Sequence, residues 1–274
     1  MSDLRIKNMS DPNVITRQVE IDGYAVQEGV LTESEVAALI EALERQQEGE
    51  KLLRNGRVFA VRNLLDLPAI RELAESARVR QLAEAVLGDT AFAVRGILFD
   101  KIPQANWKVP WHQDVTIAVR AREDVEGFGP WSTKAGILHV QPPAQVLEKM
   151  ISIRLHLDAC DVSNGALHVI PGSHRAGRIA EADIPSVLTR SEALSCVVGR
   201  RGALLMRPLL LHASSPSQTP AHRRVIHLDF ACDKLPSPLN WLSDPARSRS
   251  LRVLGQRSES EIVVDTSVFR RTTS

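Results

Sequence analysis

Three His-x-Asp pairs occur in this chain, His112/Asp114, His156/Asp158 and His227/Asp229, and any of them could supply two ligands to a metal ion. A strand points successive side chains to opposite faces, so residues two apart share one face. The first pair lies in "VPWHQDVTIAV", where a turn-rich segment gives way to an alternating one, and the pattern predicts a strand carrying both groups. One such pair by itself is ordinarily a surface or hydrogen-bonded polar pair. Downstream, "LLLHASSPSQTPAHRRVIHLDF" ends an apolar run on His212, turns through Ser and Pro, and enters another strand through Arg223. Two imidazoles and one carboxylate on a metal leave adjacent coordination sites open, which is the donor set of non-haem Fe(II) oxygenases. Those sites accept a bidentate 2-oxo acid and O2, and a guanidinium can clamp the acid's far carboxylate. The turn between His212 and Arg223 predicts that they stand on neighbouring antiparallel strands.

The elements that must position these groups fall into two textures. The first hundred residues read as helical with a little strand. Residues 31–47 open on a capping box, Thr32 with Glu35 three positions on, and carry Val36, Leu39, Ile40 and Leu43 at helical spacing. Residues 67–88 repeat the pattern as two helices, with Gly88 as the C-terminal cap. "YAVQEGVL" and "TAFAVRGILFDKI" are strand candidates. From about residue 110, short β-like runs alternate with turns: "HQDVTIAV", "GILHVQ", "MISIRLHLDA", "ALHVIPG", "SCVVG", "ALLMRPLLLHAS" and "RVIHLDFAC". Helical crossovers between them are few, so the expected fold is mainly β with flanking helices, a sandwich or barrel with helices on one side. Residues 120–148 form a long excursion within the strand series, of the kind used as lids or binding elements. The tail from about 243 is polar.

Composition narrows the class of function. Hydrophobic residues make up 43% and charged residues 24% of the 274, as in ordinary globular proteins. Lys+Arg is 34 against 33 Asp+Glu, a formal net charge of +1, which gives no electrostatic reason for nucleic acid or an anionic membrane as partner. The three cysteines, Cys160, Cys196 and Cys232, are scattered, with no CxxC pair, and fit a reducing cytoplasm. No apolar run approaches the ~18 residues of a membrane span, and the N-terminus has no apolar signal core. A cytoplasmic enzyme of a small molecule, monomeric or homodimeric, is the expectation.

Four blocks in order, "DGYAVQEGVLTESEVAALIEAL", "VPWHQD", "SNGALHVIPGSH" and "LLLHASSPSQTPAHRR", resemble the phytanoyl-CoA dioxygenase family over about residues 20 to 235. The resemblance implies a double-stranded β-helix, a jelly-roll or cupin-like barrel over about 90–240 behind an N-terminal helical layer, within a single domain over 1–274. It implies an oxygenase using Fe(II), 2-oxoglutarate and O2, with ascorbate as a supporting reductant. It selects His112, Asp114 and His212 as iron ligands, Arg223 as the 2-oxoglutarate arginine, Ser214 as a contact to the same carboxylate, and Lys101 in "FDKIP" as a neighbour. Related halogenases carry a small residue in place of the carboxylate ligand, so the presence of Asp114 points to hydroxylation. A cupin-like isomerase or epimerase without 2-oxoglutarate, and a non-catalytic binding barrel, are the alternatives.

Arg224 competes with Arg223, and alternation puts the two on opposite faces. His156 and His227 read as core or supporting residues, with Asp158 and Asp229 structural or solvated. His168 and His174 read as turn packing, and Asn164-Gly165 as a tight turn. Trp111, Trp131, Lys134, His139 and Gln141 are candidate substrate contacts. Arg120 and Arg122 either meet an anionic substrate or are solvated.

Overall fold

The computed structural model describes residues 12–45, 51–54, 57–103, 106–218 and 222–243, without the side chains of 51–54 and 57–59. The polar tail expected from 243 lies outside them from 244 onward. The front of the chain builds α1 (Pro12–Asp22), β1 (Tyr24–Gln27), α2 (Glu33–Arg45), β2 (Lys51–Arg54), β3 (Arg57–Val61), α3 (Pro68–Glu75) and α4 (Ala77–Leu87). The capping box forms: Thr32 N–H donates to Glu35 Oε2 at 2.7 Å, and Glu35 N–H donates to Thr32 Oγ1 at 3.1 Å. Ser76 separates α3 from α4, and Gly88 closes α4 with φ 87°, a left-handed value that suits glycine. The helix α1 and the β2–β3 hairpin were not foreseen from the sequence. Ile15 and Val19 of α1 are buried, one helical turn apart, and the adjoining polar residues mask that short stripe in a periodicity count.

The rest of the chain supplies β4 (Phe92–Asp100), β5 (Val109–His112), β6 (Ile117–Ala118), β7 (Trp131–Lys134), β8 (Ile137–Val140), α5 (Ala144–Glu148), β9 (Met150–His156) and β10 (Leu167–Val169). It ends with α6 (Ile184–Arg190), β11 (Leu194–Cys196), β12 (Ala203–Met206), β13 (His212–Ser214) and β14 (Arg224–Ala231). Seven strands form the larger sheet, in the order β1-β12-β9-β14-β4-β3-β2, and four form the smaller one, β11-β10-β13-β5. This is the expected jelly roll, mostly β with helices on one side, but its two sheets stay open and do not close into a barrel.

One face of the large sheet packs on the helices. Ile151, Ile153 and Leu155 of β9, and Ile226, Leu228 and Phe230 of β14, join Val36, Ile70, Val79 and other helical residues in one core cluster. Burial of such side chains contributes roughly 1.5–3 kcal/mol each. Their alternating neighbours, Ser152, Arg154 and His156 on β9 and Val225, His227 and Asp229 on β14, face the other way and line a cavity.

Two expectations about strands are corrected. "ALLMRPLLLHAS" is not one run: Arg207-Pro208 interrupts it, and β12 and β13 go to different sheets. Consequently His212 and Arg223 do not stand on neighbouring strands. β13 pairs with β5 and β10, whereas β14 pairs with β4 and β9, because the chain crosses between the sheets at this turn. The excursion at 120–148 contributes β7 and β8, which join β6 just before it in a small separate sheet, β6-β8-β7, and then α5. Ile117, Val119, Val140 and Leu147 anchor it in a second apolar cluster with Leu239 and Trp241. Among the described residues no helix is long and apolar enough to cross a membrane.

Candidate metal centre

His112 ends β5 and lies opposite His212 of β13 in the ladder. Their rings sit 4.2 Å apart between centroids, tilted by 46°. The alternating pattern predicts that His112 and Asp114 share one strand, but they do not. The strand ends on the first residue of the motif, His112, and Asp114 lies two residues beyond its end, where its N–H donates to Pro208 O at 2.9 Å instead of to a ladder partner. The irregular path still turns its carboxylate back onto both rings. Asp114 Oδ1 is 3.8 Å from His112 Nε2, and Oδ2 is 3.7 Å from His212 Nε2. One ligand atom from each of the three lies within 4.8 Å of the others.

The remaining ring nitrogens set the tautomer. His112 Nδ1 donates to Pro110 O and His212 Nδ1 to Leu210 O, each at 2.8 Å. Both Nε2 lone pairs are thereby left for the shared point, and the rings are held from behind. Burial pushes the His212 imidazole down to about 3, so it stays neutral. Burial works to raise the Asp114 carboxyl, but His212, Arg154, His112 and Arg95 outweigh it and hold the group below the usual range. Two imidazole nitrogens and one carboxylate fit a divalent iron with open positions.

At one end of the same cavity lie the three groups expected at a cosubstrate carboxylate. Lys101 Nζ donates to Ser214 Oγ at 2.8 Å and to Ser215 O at 2.7 Å, and stands 5.3 Å from the Trp107 ring centroid. Arg223 donates Nη1 to Gly165 O, and its buried Nε has no partner among the described residues. Burial, with Arg223 close by, pushes Lys101 down to about 7. Arg224 points the other way and grips Asp158 with two nitrogens, Nε at 2.8 Å and Nη2 at 2.9 Å.

Of the five candidate substrate residues, Lys134 borders this cavity. Trp111 precedes His112 in β5 and is not among the residues that line the cavity. Trp131 packs on the second cluster beneath Arg122. His139 is fully buried, with Nδ1 donating to Ile137 O at 2.9 Å. Gln141 presents its amide oxygen to Arg178. Arg120 is tied to Trp241 O and Leu242 O.

Residues that sequence reasoning passed over also line the cavity: Arg62, Arg95, Ser152 and Arg154. For Ser152 and Arg154 the signal was present in "MISIRLH", where Ser, Arg and His alternate with apolar residues on the inward face of a strand. Of the two readings of Asp229, structural or solvated, the structure gives the first: it is buried and receives Arg95 Nε at 2.5 Å.

A model of the phytanoyl-CoA dioxygenase family matches residues 19–225, three quarters of the chain. The chain belongs to this family. Membership makes it an oxygenase of the Fe(II)- and 2-oxoglutarate-dependent class. An ectoine dioxygenase from Nocardia farcinica is 25% identical, over 76% of this chain and 74% of that protein. EctD from S. alaskensis superposes with a TM-score of 0.64 at 20% identity, covering 86% of this chain and 82% of that one. SnoN, described as a non-haem alpha-ketoglutarate-dependent epimerase from nogalamycin biosynthesis, gives 0.59 at 20% identity, with 85% and 92% covered.

Proposed function

We propose that this family member hydroxylates an unactivated C–H bond of a small metabolite, with His112, Asp114 and His212 holding Fe(II). The observation that carries this reading is the convergence of the three ligand atoms, within 4.8 Å of one another, in one cavity with Arg223, Ser214 and Lys101. Bound iron supplies the O2-dependent oxidation that couples 2-oxoglutarate decarboxylation, to succinate and CO2, with substrate oxidation.

The chain's own residues do the positioning. Arg223, through its unpartnered Nε, and Lys101 with Ser214 receive the far carboxylate of 2-oxoglutarate, which fixes the direction in which its oxo acid end reaches the triad. Pro110 O and Leu210 O hold the two imidazoles in the ligating tautomer. The apolar wall of Ile97, Phe99, Leu167 and Val225 limits water around the reacting groups.

The test is succinate formation from 2-oxoglutarate by the protein with Fe(II) and ascorbate. Asp114→Ala is expected to abolish it and Arg223→Ala to raise the 2-oxoglutarate requirement sharply; undiminished succinate from the Asp114 variant rules the assignment out. Epimerisation is the second outcome open to the same centre, as the description of SnoN illustrates. Transfer of label from O2 into product marks hydroxylation, and its absence with inverted configuration marks epimerisation.

A further inference from the structure

The floor of the cavity is a set of rows across β9, β14 and β4, and the rows differ in chemistry. Arg154, His227 and Ile97 stand in register, and Arg154 touches Asp114, so this row lies under the triad. Next comes the row of His156, Val225 and Phe99. Beyond it, Arg223 and Lys101 exchange backbone hydrogen bonds and end the cavity at the 2-oxoglutarate side. In the opposite direction one row remains, Ser152, Asp229 and Arg95, roughly 7 Å along the strands from the triad row. The metal centre therefore stands between two polar ends, and only one is needed by the cosubstrate.

The second end is rich in cations. Arg95 uses Nε to hold Asp229, and Arg62 and Lys134 border the cavity beside them. Lys134 is exposed at the mouth, and its ammonium donates to a neutral partner, Thr116 Oγ1, at 3.0 Å. It has no carboxylate partner among the described residues. Partial burial of the ammonium, then Arg95 and then Arg62, push Lys134 below its ordinary range. Ser152, buried beneath them, has a hydroxyl without a partner among the described residues. From this end to the triad, Arg95, Lys134 and Arg154 line the cavity against the two carboxylates Asp114 and Asp229. A dianionic cosubstrate offsets a divalent metal but leaves this excess in place. Like charges gathered at a cavity mouth are tolerated where an anion joins them.

We propose that this end receives the anionic head, a carboxylate, of the substrate on Lys134 and Arg95, with Arg62 adjoining and Ser152 donating from below. This places the carbons next to the head over the triad, and it rests on the proposed function above. The cavity is about 210 Å³, below the ~300–1,000 Å³ of drug-sized pockets, so the substrate is a small organic acid, such as an amino acid.

Isothermal titration of the protein loaded with Mn(II) and 2-oxoglutarate tests this. The probes are short carboxylic and amino acids, their primary amides, and the matching phosphate monoesters. Acids are expected to bind at least about tenfold more tightly than their amides, and less tightly as salt is added. Lys134→Met removes that preference and Lys134→Arg keeps it. Phosphate monoesters binding where acids do not would overturn the carboxylate assignment. The proposal is overturned if acids and amides bind alike, if no anionic probe binds, or if Lys134→Met keeps the preference. Failure of the wild-type protein to take up 2-oxoglutarate at all would overturn the proposed function, and this inference with it.

Discussion

Arg154 places Nη2 3.2 Å from Asp114 Oδ2, and the same nitrogen lies 3.4 Å from His212 Nε2. A guanidinium therefore stands against two of the three groups that converge for a metal. Arg154→Met removes a buried cation from a carboxylate that is one-third exposed, and is expected to cost the metal-free protein about 1–2 kcal/mol. A bound divalent ion supplies the missing charge, so Mn(II) is expected to recover much of that loss. Urea midpoints with and without Mn(II) measure both; an equal deficit in the two conditions would contradict this account.

Lys101 couples 2-oxoglutarate binding to protons. Burial, and the Arg223 charge, hold its ammonium at about 7, and an arriving carboxylate favours the charged form. Binding then takes up a proton above about pH 7 and none below, where Lys101 is already charged. Affinity for 2-oxoglutarate is expected to be level below pH 7 and to fall as pH rises above it. Calorimetry in buffers of different ionisation heat reads the proton directly. A slope that persists in Lys101→Met assigns the effect elsewhere.

Arg223 and Arg224 separate by function. Arg224→Ala breaks a two-point pair with Asp158 outside the cavity and is expected to cost about 1–3 kcal/mol of stability, with the 2-oxoglutarate requirement unchanged. Arg223→Ala is expected to raise that requirement at least about tenfold. Urea unfolding and succinate kinetics on both variants decide it. A matching rise in the Arg224 variant would show the two arginines acting as one unit.

Gly165 has a role that its turn chemistry does not reveal. Its φ is +72°, its carbonyl accepts Arg223 Nη1, and an added Cβ would lie 2.6 Å from Ser215 O and 3.4 Å from Lys101 Nζ. The Ser215 carbonyl, which receives Lys101, has to move to admit a methyl group. Gly165→Ala is expected to lose roughly 1–3 kcal/mol and to weaken 2-oxoglutarate binding in the same variant. Thermal unfolding with and without 2-oxoglutarate would show the ligand stabilising this variant less than the wild type. Equal stabilisation of the two proteins would count against it.

The helices α2, α3 and α4 were legible because their caps and apolar spacing are local: Thr32 with Glu35, and Gly88, each act within a turn or two. The β texture was legible from alternation. The sheet to which each strand belongs was not, since "ALLMRPLLLHAS" reads as one strand until Pro208 divides it between two sheets. Asp114 was recognised through the family blocks although the strand assigned to it ends at His112. Arg95, Arg154 and Ser152 went unremarked because a polar residue alternating with apolar ones looks the same whether its face meets water or a cavity.

Local pattern and the family blocks were enough for the class of fold, the helical caps and the names of the three converging residues. Only tertiary structure decided that β13 and β14 face each other from opposite sheets. It also decided that Arg224 turns outward to Asp158, and that a second cationic end lies beyond the triad. The reason is physical: caps and alternation are set by neighbours along the chain, whereas a cavity exists only where strands distant in sequence lie in register.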